Sequence, residues 1–263
     1  MRLQLVSLGI VTLLGMSQAP AYASPQGYWA WGSSTQGELG LGIQANVDLP
    51  QLVSPSLDFT TLTAGSSFAC GITADANAYC WGVNGNGQLG LGYAGNQPTP
   101  QPVAGGYHFK SLAAGHAFAC GITLSGETYC WGMNDHGQLG TGDTTSSNAP
   151  RAVVGGHTFD SIAAGYYHAC GITSSGDAYC WGENGAGQLG TGAFTSTSTP
   201  GQVAIASPLV QITAGNNHSC GLARTHALYC WGLNASGQLG DGTNTNASTP
   251  VAIGTPNAVT SLA

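Results

Sequence analysis

The sequence predicts an all-β protein assembled from repeated units of four short strands. Three observations carry this prediction. Glycine accounts for 42 of 263 residues, about twice the usual share of roughly 7%, while only 4 basic and 11 acidic side chains carry formal charge. Cysteine and tryptophan recur with a period of 50 residues. No stretch shows a 3.6-residue apolar period over a helix length. The composition excludes coiled coils, charged disordered tails and collagen, and Lys110, the only lysine, leaves no basic face for nucleic acid. With 42% hydrophobic residues, 6 Trp and 10 Tyr, the chain can bury a core of one or at most two domains.

At the N-terminus, Arg2 precedes an apolar run from Leu3 to Gly15, which is too short to span a bilayer. Ala21-Tyr22-Ala23 reads as a small-x-small cleavage signal. Residues 1–23 are therefore expected to be a signal peptide, cleaved near Ala23-Ser24. The mature protein, 24–263, is expected to be secreted or extracytoplasmic. No Cys follows the apolar run before Cys70, which argues against a lipid anchor, and no later segment is long enough for a membrane span.

Cys70, Cys120, Cys170 and Cys220 stand 50 residues apart, as do Cys80, Cys130, Cys180 and Cys230, and Trp31, Trp81, Trp131, Trp181 and Trp231. The register divides the mature chain near 24–58, 59–108, 109–158, 159–208 and 209–258, with a partial strand at 259–263. In the third unit the expected strands are Phe109–Ala113, Phe118–Thr123, Thr128–Gly132 and a fourth around Gln138–Gly140. Gly115 opens a tight turn between the first two. Leu124-Ser125-Gly126 reads as a three-residue hairpin loop with Gly in the left-handed position. That loop places Cys120 opposite Cys130, and Gly121 opposite Tyr129, giving the tyrosine ring room to cross the neighbouring strand. Ala74-Asp75-Ala76 and Arg224-Thr225-His226 offer no Gly at this turn, so those hairpins need another device.

Eight cysteines allow 105 pairings. The period favours Cys70–Cys80, Cys120–Cys130, Cys170–Cys180 and Cys220–Cys230, because directly opposed strand residues lie within bridging range. The competing readings are buried free-thiol pairs and a zinc site. Close paired spacing is missing for zinc, and a His two positions before the Cys occurs only at His168 and His218.

The repeat closely resembles that of the regulator of chromosome condensation family. One part of that family's signature reads AAGYYHACGI at 163–172 and TAGNNHSCGL at 213–222. The other reads WGVNGNGQLG at 81–90, WGMNDHGQLG at 131–140, WGENGAGQLG at 181–190 and WGLNASGQLG at 231–240, with a degenerate WGSSTQGELG at 31–40. The resemblance covers essentially the whole mature chain and implies a β-propeller with one four-stranded blade per repeat. It also implies that His168 and His218 are structural histidines bonded to backbone. Phe68 and Phe118 replace the family histidine in two units, and the paired cysteines depart from the family pattern. The signal peptide and the missing basic face count against the nuclear exchange role and bring the chain nearer to exported bacterial relatives. Such propellers usually have seven blades, and this chain offers fewer than five full units. We read it as an open, incomplete arc with exposed edge strands, the alternative being an irregular five-unit ring.

Other motifs carry no chemistry. The dinucleotide-like GNGQLG at 85–90 and its counterpart at 185–190 precede no helix. The stretch from Asp241 lacks the alternating carboxylates and closing Glu of a calcium loop. Asn217, Asn234 and Asn246 head glycosylation sequons that matter only in a host that glycosylates secreted asparagine. Nothing implies a cofactor, a metal or a catalytic group.

What varies between units is the pair after the turn Gly, Ser66-Ser67, His116-Ala117, Tyr166-Tyr167 and Asn216-Asn217, and the pair inside the Asn-x-x-Gly loop, including Asn86, Asp135-His136 and Ser236. In a four-stranded blade both loops emerge on one face. The expected function is therefore a non-enzymatic, exported protein-binding module, with another protein as partner and Tyr166 and Tyr167 as anchors. The alternatives are an exported hydrolase, which would need clustered carboxylates and histidines, and a structural surface module that self-associates through open blade edges.

Overall fold

A computed structural model describes residues 28–54, 56–255 and 258–262. The proposed signal peptide at 1–23 lies outside them. Among the described residues the architecture is all-β, with eighteen strands paired antiparallel.

The first unit contributes β1 (Trp29–Gly32) and β2 (Val47–Leu52), a two-stranded sheet. Four four-stranded sheets follow. They are β3 (Phe59–Ala64) to β6 (Gln97–Pro102), β7 (Phe109–Ala114) to β10 (Ser147–Ala152), β11 (Phe159–Ala164) to β14 (Thr197–Gln202), and β15 (Leu209–Ala214) to β18 (Ala247–Ile253). Each is a meander in sequence order, the blade of a propeller. Consecutive blades pack side by side, and the sheets do not close into a ring. Among the described residues no helix is long and apolar enough to cross a membrane.

The second and third strands form each blade's buried centre. The two Phe-Ala-Cys-Gly-Ile-Thr strands, β4 (Phe68–Thr73) and β8 (Phe118–Thr123), are buried along their whole length. The register pairs Cys120 with Cys130 and Gly121 with Tyr129, as the hairpin loop requires. All four expected bridges are disulfides, with Cα–Cα distances of 4.0–4.1 Å. Each closes a ten-residue separation, and the chain-entropy model gives roughly 2–3 kcal/mol for such a loop.

Four expectations are corrected. The fourth strand is not Gln138–Gly140 but Ser147–Ala152, drawn from the variable stretch. The Gln-Leu-Gly run is a turn, with Gly137 and Gly140 at φ 81° and 67°, values that suit glycine and not a strand. The space opposite Tyr129 is filled by the blade's own first strand, since a Cβ on Gly121 would stand 2.6 Å from the Phe109 ring and 2.7 Å from Leu112. The hairpins without Gly use no separate device: Ala76 and His226 adopt φ 62° and 65° themselves. Of the partial strand at 259–263, residues 259–262 form no ladder. They are held instead through His226 Nδ1 on the Val259 carbonyl (3.1 Å) and the Leu262 N–H on Gln211 (2.8 Å). Elsewhere a first strand is ordered by its own second strand, as Phe109 is by Thr123.

Candidate functional site

The constant residues of the repeat join one blade to the next. Asn84, Asn134, Asn184 and Asn234 are fully buried. Each side-chain oxygen accepts the N–H of the Leu five residues on, at 2.9–3.0 Å. This folds the loop so that the adjacent Gln presents its carbonyl to the next blade. Trp131, Trp181 and Trp231 donate their indole N–H to Gln88, Gln138 and Gln188 at 2.9–3.0 Å, and Trp81 to Glu38 at 3.0 Å. The return bond runs from Gly92, Gly142 and Gly192 to the fourth strand of the next blade, at 2.7–2.9 Å. Trp and Asn are therefore frame residues, and the sequon at Asn234 is buried within that frame.

The turn after each first strand has two tiers. The inner tier is Phe68, Phe118, His168 and His218, and the first three face a small residue of the following blade. Phe68 clusters with Ala119, and Phe118 with Ala169. At the next joint both members change. His168 Nε2 donates to the Ser219 hydroxyl at 2.9 Å, and Ser219 donates to the Gln188 carbonyl at 3.0 Å. The ring thus reaches backbone only through a hydroxyl, which corrects the expected direct bond. His168 is fully buried. Burial, aided by His218, pushes its pKa down to about 3. A histidine sealed and held neutral in this way has no access to a substrate.

The outer tier is the pair of residues in front of it. Turn glycines pack in a line from blade to blade, so a Cβ on Gly115 would stand 2.6 Å from the Gly165 carbonyl. Backbone bonds join the tips directly, Ser66 to His116 at 3.4 Å and Tyr166 to Asn216 at 3.2 Å. Residues 50 apart in sequence thereby become neighbours. His116 stacks on Tyr166, with centroids 3.9 Å apart and planes 10° apart, and its Nδ1 is hydrogen-bonded to Ser66 Oγ at 2.8 Å. Burial lowers the His116 pKa below its ordinary value.

The second loop is stitched to the same turn. The N–H groups of Val83, Met133, Glu183 and Leu233 donate to the carbonyls of Ser67, Ala117, Tyr167 and Asn217 at 2.8–2.9 Å. His136, from the loop of the preceding blade, stacks on Tyr167 at 4.7 Å and 29°. Tyr166 and Tyr167 meet edge to face at 4.5 Å. The result is one cluster spanning three blades, Ser66–His116–Tyr166–Tyr167–His136, whose four rings are half-buried while Ser66, and Asp135 beside His136, are exposed.

Of the other candidates, Ser67 and Asn217 are half-buried and serve through their carbonyls. Asn86 and Ser236 are exposed on the loops of flanking blades, each donating its N–H to its own Gln side chain at 2.9 and 2.7 Å. Asn216 is exposed at the far side of Tyr166. Ala117 is only 5% exposed and so leaves the candidate face. The residue missed in the sequence is Glu183. Its column reads Val83, Met133, Glu183, Leu233, and a carboxylate alone among apolar residues, in the unit that carries both tyrosines, was the available signal.

The RCC1-like domain family model matches residues 18–263. No curated protein matches the chain. Among solved structures, human WBSCR16 superposes with a TM-score of 0.82 at 20% identity, over 90% of this chain and 65% of that one. Yeast RCC1 (Prp20), in its complex with Kap60, gives 0.77 at 20% identity, over 87% and 57%. Prp20p from Saccharomyces cerevisiae, described with its binding to Gsp1p and histones, gives 0.51 at 16% identity, over 89% and 87%. The chain spans 57–65% of the length of the first two structures, and at these identities the likeness is one of fold.

Proposed function

The chain belongs to the RCC1-like domain family, and from that premise we propose that it is a non-catalytic protein-binding module acting outside the cytoplasm through the Tyr166–Tyr167 face. The observation that carries this reading is the aromatic cluster. Four rings from two adjacent blades converge at the tips of turns whose frame does not require them, since the same frame is built with Ser66 and Asn216 elsewhere. Aromatic side chains of this kind contribute a large share of interface energy when covered by a partner. Yeast Prp20, which shares the fold, is described bound to Kap60 and in its binding to Gsp1p and histones, which supports protein recognition as a use of this architecture. The four disulfides support an oxidising compartment.

The test is capture of a partner from the native extracellular milieu by immobilised wild type, Tyr166→Ala/Tyr167→Ala and Phe194→Ala. Phe194 is an exposed aromatic (53%) outside the cluster. The double substitution is expected to reduce recovery of the captured partner at least tenfold, while Phe194→Ala leaves it unchanged. Equal recovery by all three baits overturns the proposal.

A further inference from the structure

The aromatic face is acidic at its margins and holds neither lysine nor arginine. Asp135 directly precedes His136, whose ring lies on Tyr167, and is exposed. Glu183 is fixed beside Tyr167 by its own N–H on the Tyr167 carbonyl, at 2.8 Å. Burial, then Tyr166, then the charges of Glu183 and Asp135 hold the Tyr167 phenol pKa above its ordinary value. The basic residues among those described lie elsewhere. Lys110 stands near the start of β7, 3.8 Å from Asp160, and Arg151 is bound to Asp143 at 2.7 Å. Arg224 sits in the hairpin between β16 (His218–Ala223) and β17 (Leu228–Gly232), at the opposite end of the strands from the turn tips.

Tyrosine faces bordered by carboxylates form a receptor for an organic cation. The ring quadrupole attracts a guanidinium or ammonium to its face, and a carboxylate adds charge-assisted hydrogen bonds, bidentate for arginine. The whole chain, at a formal net charge of −7, favours a basic partner at longer range. We propose that this face receives an arginine- or lysine-bearing segment of the partner protein, with the cationic group seated over Tyr166 and Tyr167 between Asp135 and Glu183. The proposal rests on the reading of the face as a protein-binding surface and narrows it to a basic partner.

The probe is a fluorescent oligoarginine peptide, with oligoglutamate of equal length as the control, titrated by anisotropy into the full chain with its disulfides intact. Oligoarginine is expected to bind and oligoglutamate not to. Tyr166→Ala/Tyr167→Ala is expected to weaken oligoarginine about tenfold or more, and Asp135→Asn/Glu183→Gln about threefold to tenfold. Tyr166→Phe/Tyr167→Phe keeps the ring faces and is expected to stay within about twofold, which separates loss of the platform from loss of the fold. Absence of oligoarginine binding, or binding indifferent to both the Ala pair and the Asn/Gln pair, overturns the proposal. A partner that needs the tyrosines but is not displaced by saturating oligoarginine overturns the cation receptor and leaves the protein-binding face standing. If neither partner nor peptide needs the tyrosines, both fall.

Discussion

The two tiers of the blade turn lie side by side in sequence and obey opposite rules. In the inner tier a change on one blade is matched by a change on the next. Phe68 and Phe118 meet Ala119 and Ala169, whereas His168 meets Ser219, whose hydroxyl continues to the Gln188 carbonyl. In the outer tier the joining bonds are made by backbone, so the frame does not depend on which side chains meet there: Ser66 bonds His116 and His116 stacks on Tyr166, while Asn216 follows Tyr166 through backbone alone. Buried positions vary only in complementary pairs, since a lone polar atom in the joint costs its full desolvation. Half-exposed tips vary freely, and that freedom is where recognition can be written.

Breaking the inner rule carries the largest expected effect. Phe118→His leaves an imidazole against Ala169 with no hydroxyl to receive it, and is expected to lower stability by about 3–5 kcal/mol in urea unfolding. Adding Ala169→Ser transplants the His–Ser pair and is expected to recover at least about 1 kcal/mol. No recovery would mean that the pairing is incidental.

Acid titration sharpens the same comparison. His168 has a folded pKa of about 3 against roughly 6.5 unfolded. A depressed histidine favours the neutral folded state, so the unfolded chain binds more protons across that window. The contribution is full above the unfolded pKa and is lost as pH falls, by roughly 4–5 kcal/mol on reaching pH 3. His168→Phe/Ser219→Ala converts the joint to the Phe–Ala form and is expected to flatten the fall in stability between pH 6.5 and 4.5. The slope that remains belongs to His116 and His218, whose pKa values burial also lowers.

The smallest effect concerns the hairpins. Ala76 holds φ 62° where the third and fourth units use Gly126 and Gly176 at φ 92°. Ala76→Gly is expected to raise stability by about 0.5–1 kcal/mol, the relief of left-handed strain less the added entropy of glycine in the unfolded chain. A loss of stability would show that tertiary contacts, and not the turn residue, set that register.

Much of the frame was legible because it repeats. The 50-residue period and the hairpin with Gly126 were enough to place Cys120 against Cys130. The fourth strands were not legible. Gln97–Pro102 and its counterparts are rich in Pro, Thr and Ser with little apolar alternation, a composition tolerated because this strand lies at the blade's outer edge and need not donate every N–H. The Gln-Leu-Gly run, expected as the fourth strand, is a turn that buries its Leu. At the face, the variable tips could be recognised residue by residue. Their convergence could not, since His116 and Tyr166 become neighbours only through the stacking of one blade on the next. Glu183 was hidden in a column that the flanking units fill with Val83, Met133 and Leu233.

In the proposed function, the tips of the third and fourth units meet the partner. Photo-crosslinking is the test, with p-benzoylphenylalanine placed at Tyr166 in one variant and at Phe194 in another, each irradiated in the protein's native milieu. A discrete adduct is expected from position 166, suppressed by excess unlabelled wild type, and none from position 194. Equal adducts from both positions, or an adduct from position 194 alone, would contradict it.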